Sequence, residues 1–214
     1  MINIEANVDK FMENYLNDEH SRYRSYDHCH KLFLEKRNSL DEQTRDYLAL
    51  NLYTFLASWG MVCRKGILMK KDYKYLYTAV EVVCADKYSD LIDIDIFAPD
   101  FDENCYTNKI LELKKEIDKA IFAGTDYKYK DTVIGKIMLA TLGCIHAYDS
   151  HIVENLRNLK YAATMTERGL KSILKFANDN QKALQAVYAK YSDKTMVKYS
   201  PMKYIDTALW INSY

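Results

Sequence analysis

Two prolines and six glycines in 214 residues leave this chain few places to turn. Sheet proteins reverse direction every few residues and draw on Gly and Pro to do it. The scarcity of both predicts long helices with few breaks, an all-α fold. The length suits one large domain, and no repeat, low-complexity tract or linker divides it. At 49% hydrophobic and 28% charged, the composition is globular and not disordered. The expectation is a single globular domain over residues 1–214, built of about ten helices.

Hydrophobic periodicity places most of them. Ile4, Val8, Phe11, Met12, Tyr15 and Leu16 share one helical face, and Tyr23, Tyr26, His30, Phe33 and Leu34 a second. Ser39-Leu40-Asp41-Glu42 reads as a capping box. It opens a helix so apolar (Leu48, Leu50, Leu52, Tyr53, Phe55, Leu56) that it is expected to be central, and Gly60 ends it. Asp72 caps the next helix, which carries Leu76, Val80 and Val83. Ile92, Ile94 and Ile96 alternate with Asp93 and Asp95, a strand-like period too short for a sheet and read as a connector. A helix with Ile110, Leu113, Ile117 and Ile121 ends at Gly124. The next spans about Asp131 to Leu142, and Gly143 turns the chain. Asp149 stands as N-cap ahead of Ile152, Val153, Leu156 and Leu159. Thr164 to Glu167 forms a second capping box, and Ser200-Pro201 starts a last helix with Met202, Ile205 and Leu209.

Several function classes drop out. Five scattered cysteines without C-x-x-C spacing argue against a disulfide framework or a zinc cluster and for a reducing compartment. The segment MINIEANVDKF lacks the character of a signal peptide, and no run of about 18 apolar residues exists to span a bilayer. A cytoplasmic location without membrane attachment is expected. Asp27 and His30 share a face, but no second ligand pair stands at helical spacing, so no metal is expected. P-loop, G-x-G-x-x-G and G-x-S-x-G are absent, and no cofactor is implied.

The net charge of zero hides an asymmetry. Residues 1–103 are acidic and residues 157–214 basic, the latter with Lys171 and Lys175 among ten Lys and Arg against four acids. A basic face of this kind suits a polyanion. Within Lys136 to Asp149, KIMLATLGCIHAYD, a lysine-bearing helix runs into a glycine hairpin, and a second helix opens on an aspartate. Hairpin N–H groups at Gly143 suit a phosphate. The helix dipole favours negative charge on Asp149, and a carboxylate beside a sugar stabilises an oxocarbenium-like transition state. The Lys136 amine suits phosphate binding or attack on the sugar carbon.

On Lys136, Gly143 and Asp149 the stretch resembles the helix-hairpin-helix DNA glycosylase superfamily, in particular its divergent members. The resemblance covers some 20 residues, and the second hairpin glycine and the usual proline are missing; His146 stands near the place of that proline. It implies a glycosylase-like core and cleavage of an N-glycosidic bond in DNA, in genome maintenance or phage defence, with Asp149 and Lys136 as catalytic residues. The chain as a whole also resembles an uncharacterised bacterial family with Ser-Trp-Gly-Met and Ala-Tyr-Asp segments, here Ser58–Met61 and Ala147–Asp149, which implies no activity.

Two further features bear on function. In RYRSYDHCH, Arg24 and His28 stand four apart on one helical face. Helical endoribonucleases of the HEPN class look similar, with an Arg for the scissile phosphate and a His as acid or base; Arg22/His28 and Arg24/His30 meet that spacing too. After the apolar helix, Gly60 frees the chain to turn and to bare Trp59 for stacking on a base, with Arg64 close by for the backbone. The remaining alternative is a non-catalytic helical interaction module in which Asp149 and His28 are structural.

Overall fold

The computed structural model describes residues 2–63 and 66–212. Among these residues the chain is all helical, with ten α-helices, three 3-10 turns and no strand. The helices are α1 (Ile4–Asn17), α2 (Arg24–Lys36), α3 (Glu42–Ser58), α4 (Tyr77–Cys84), α5 (Glu103–Phe122), α6 (Lys130–Leu142), α7 (Ser150–Asn158), α8 (Glu167–Asp179), α9 (Gln181–Tyr191) and α10 (Pro201–Ile211). One continuous apolar core runs through them.

The caps follow the sequence, with two corrections. Asn3, Asp72, Asp149 and Ser200 each accept an N–H of the turn they open. Asp41, and not Ser39, caps α3: Asp41 takes the extended backbone that a cap needs and accepts the Thr44 N–H at 2.7 Å. The Ser39 N–H closes the end of α2 on the Lys36 carbonyl. At α8 the cap is Thr166, which accepts from Gly169, while the Thr164 hydroxyl meets that of Thr166 at 3.0 Å. Gly60 ends α3 at φ +75, where its N–H reaches Ala57 and that of Met61 reaches the Leu56 carbonyl.

The central helix is α6. Every residue from Val133 to Leu142 is buried, and α6 packs against α2, α3, α4 and α5. A helix apolar all round belongs inside. By contrast α3 keeps one wet face, with Tyr47 53% and Leu50 45% exposed, because its apolar residues outnumber its neighbours. α10 is buried from Met202 to Ile211 among α1, α7 and α9. The connector carrying Ile92 to Ile96 forms no strand; its Asp93 N–H donates to the Leu142 carbonyl at 2.8 Å. Asp93 stands at φ +47, with its carboxylate 3.0 Å from His30 Nε2. No helix among the described residues is long and apolar enough to cross a membrane.

Candidate active site

A crevice forms where α3, α6 and α10 meet the loop of residues 143–149 that leads into α7. Gly143 ends α6 in the left-handed region at φ +63, and a β-carbon there would collide with the Asp93 carboxylate. The chain then extends to Asp149, whose Oδ1 accepts the Ile152 N–H at 3.1 Å and whose Oδ2 faces Lys136 Nζ at 3.4 Å. From the other wall, Asp206 Oδ1 accepts the Ala147 N–H at 2.9 Å, and its Oδ2 faces Lys203 Nζ at 3.4 Å. Each carboxylate therefore spends one oxygen on backbone and turns the other to a lysine. Both pairs are looser than a tight charge-assisted bond of about 2.7–2.9 Å.

All four residues are largely withdrawn from water, Lys136 at 5% exposed and Lys203 at 2%. Aromatic rings replace the lost hydration. Lys136 Nζ lies 5.3 Å from the centre of the Trp59 ring, and Lys203 Nζ lies 4.6 Å from Tyr26 and 5.3 Å from Phe11. Trp59 and Trp210 meet edge to face at 5.3 Å, and the exposed Arg22 guanidinium lies 5.3 and 5.4 Å from the two rings. Burial holds the Lys203 ammonium below the ordinary lysine pKa; Asp206 and Asp27 draw it back up, and Lys136 opposes them. Burial likewise lowers His146, whose Nδ1 donates to the Ala147 carbonyl at 2.7 Å.

Titratable groups concentrated in a partly desolvated crevice mark a functional site more often than chance. The crevice is closed, however, enclosing about 10 Å³. That volume holds one water at most. Larger spaces lie elsewhere, about 520 Å³ between α9, α10 and the Asp93 connector and about 540 Å³ beside the starts of α6 and α7.

The structure brings Lys136, Asp149 and Trp59 together in the crevice. Arg64 lies outside the described residues. Trp59 is half-buried rather than bared, its Nε1 donating to Ser25 Oγ at 2.9 Å. Gly143 is buried; its N–H bonds the Leu139 carbonyl and its carbonyl accepts from Ser200, so neither group faces a phosphate. Lys171 and Lys175 lie on α8, which lends nothing to the crevice, and each pairs one turn away, with Glu167 and Asp179. In α2, Arg24 rests on the Tyr15 ring and His28 is exposed, whereas His30 is fully buried between Ala140 and Asp93. Among the described residues no three His, Cys, Asp or Glu gather to hold a metal ion.

Sequence reasoning missed Lys203, Asp206 and Trp210, and Arg22 as the cation over the tryptophans. A signal was present in PMKYIDTALWI: a Lys and an Asp three apart in an otherwise apolar helix can only be buried as a pair. No family model, no curated protein and no solved structure matches the chain.

Proposed function

We propose that the protein cleaves an N-glycosidic bond in DNA, as a glycosylase-like enzyme acting at the Lys136–Asp149 crevice. The observation that carries this reading is the placement of a buried amine 3.4 Å from a carboxylate fixed at a helix N-terminus, under an indole ring. In such a reaction the C1′–N bond breaks, the base leaves with the electron pair, and Asp149 stabilises the cation left on the sugar. Either water, or Lys136 in its neutral amine form, then bonds to C1′ and loses a proton, which the departing base takes up. Lys203 and Asp206 hold the opposite wall. A base is far larger than the closed crevice, so admission requires Arg22 and the two tryptophans to part.

That closure favours one second reading, a non-catalytic interaction module in which the Lys136–Asp149 pair ties α6 to α7 and the Ala147 N–H to Asp206 bond ties α10 to the loop between them. Asp149→Asn separates the two. Asparagine still caps a helix, so the cap itself should cost no more than about 1 kcal/mol, and the buried Lys136 left without its carboxylate should raise the loss to about 3–5 kcal/mol at most. Base release from duplexes bearing a panel of damaged bases should fall by orders of magnitude, with DNA binding retained. Borohydride trapping of Lys136→Gln beside the wild type tells an amine nucleophile from a directed water. No base release from any substrate by the wild type, or full release by Asp149→Asn, sinks the enzyme reading.

A further inference from the structure

The cavity of about 540 Å³ adjoins the crevice through the chain itself: Tyr148 and Ser150, on either side of Asp149, both line it. It is an open groove, lined by the Tyr127-Lys128-Tyr129-Lys130 segment, which alternates rings and cations, and by Arg157 of α7. Tyr127 is fixed by parallel stacking on Phe122, 5.5 Å between ring centres. Tyr129 rests edge-on against Tyr127 at 6.0 Å and is 67% exposed. The fold gains little from so bare a ring, yet the ring is held in place.

Charge follows the same pattern. Lys130 pairs with Asp118 at 3.1 Å, and the acid in the lining, Asp131, is taken by Lys114 at 2.8 Å. Lys128 and Arg157 are exposed and have no carboxylate partner among the described residues. Tyr148, 5% exposed, forms part of the wall, and its buried hydroxyl finds no hydrogen-bond partner among the described residues. An exposed ring and two uncommitted cations are complementary to a base and to the phosphates beside it.

We propose that this cavity is a groove for a single-stranded stretch of nucleic acid running past the crevice, with a base stacked on Tyr129 and the backbone held by Lys128 and Arg157. The proposal rests on the reading that the crevice acts on a nucleic acid. An unpaired strand there also suits a site whose target must leave the duplex.

The test is fluorescence anisotropy with a labelled oligothymidine, the matching oligouridine and a blunt duplex, at two salt concentrations. The wild type should bind the single strand in preference to the duplex. Tyr129→Ala should weaken that binding between about fivefold and 150-fold, and Tyr129→Trp should restore it. Lys128→Gln with Arg157→Gln should flatten the salt dependence by about 0.7 in the log–log slope for each charge. Tighter binding of oligouridine would still support the groove and assign it to RNA. A wild type that ignores single strands, or a Tyr129→Ala protein that binds as well as wild type, overturns the proposal. Asp149-dependent base release with Tyr129 indifferent removes the groove alone; Tyr129-dependent binding without base release removes the glycosylase reading alone.

Discussion

Lys160 follows α7 at φ +67, in the backbone region that ordinarily selects glycine. Its N–H reaches Arg157 and the next N–H reaches Leu156, the same pattern that Gly60 makes after α3. Left-handed backbone costs a residue with a β-carbon about 1–2 kcal/mol, part of which glycine gives back as chain entropy. Lys160→Gly should therefore stabilise the protein by about 0.5–1 kcal/mol, a rise of roughly 1–4 °C in thermal midpoint for a chain of this size. Gly60→Ala should lower it by a comparable amount, and an unchanged or lowered midpoint for Lys160→Gly would contradict the argument. At this scale the sequence was half legible. Asp149 and Gly143 could be placed because caps and turns are local rules. The residues across the crevice from Asp149 on α10 could not, since contact between positions 147 and 206 depends on how whole helices dock. Even so, Lys203 and Asp206 stood in plain view as charges in an apolar helix.

Among the elements, the α6–α7 hairpin is the one most exposed to acid. His146 is buried within it, and burial lowers its folded pKa below 6.5, against an opposing pull from the Ala147 carbonyl, Asp206 and Asp149. The unfolded chain then binds the proton more readily than the folded one, so stability rises with pH across that window. Stability should be full above about pH 6.5 and decline as the pH falls from there towards the folded value. Asp9 and Glu116, lowered chiefly by their bonds to Lys190 and Lys87, add a further loss in stronger acid. Thermal midpoints measured from pH 5 to pH 8 should slope in the wild type and flatten in His146→Gln above pH 5. An equal slope in both would place the acid sensitivity elsewhere. The helices themselves were readable because their apolar faces repeat at 3.6 residues. Which of them is central was not: α3 and α6 are both rich in apolar residues, and only packing gives α6 neighbours on all sides while leaving Leu50 wet.

Over the whole molecule, four of the ten cations in the basic C-terminal part are already paired. Lys171, Lys175, Lys190 and Lys203 each stand beside a carboxylate, Lys190 reaching Asp9 of α1. The pairs at Lys171, Lys175 and Lys190 are exposed and that at Lys203 is buried, and each leaves little net charge at its own place. Reversing Lys171 and Lys175 to Glu should consequently change oligonucleotide affinity less than neutralising Lys128 and Arg157, measured in one anisotropy series; the opposite ranking would restore α8 as the contact surface. A linear charge count misses only the Lys190 pair, because Asp9 comes from another segment, while the acids beside Lys171, Lys175 and Lys203 stand within one turn on the same helix. The docking of α10 onto α1 and α7 carries one more consequence, in the order of events during synthesis. A ribosome adding about 5–20 residues per second needs several seconds to go from Asp149 to Trp210. Through that interval Lys136, Asp149 and Trp59 are already part of the chain, but the opposite wall is still being translated. The crevice is complete only once α10 has left the exit tunnel, so its second wall arrives last and closes on a first wall made earlier.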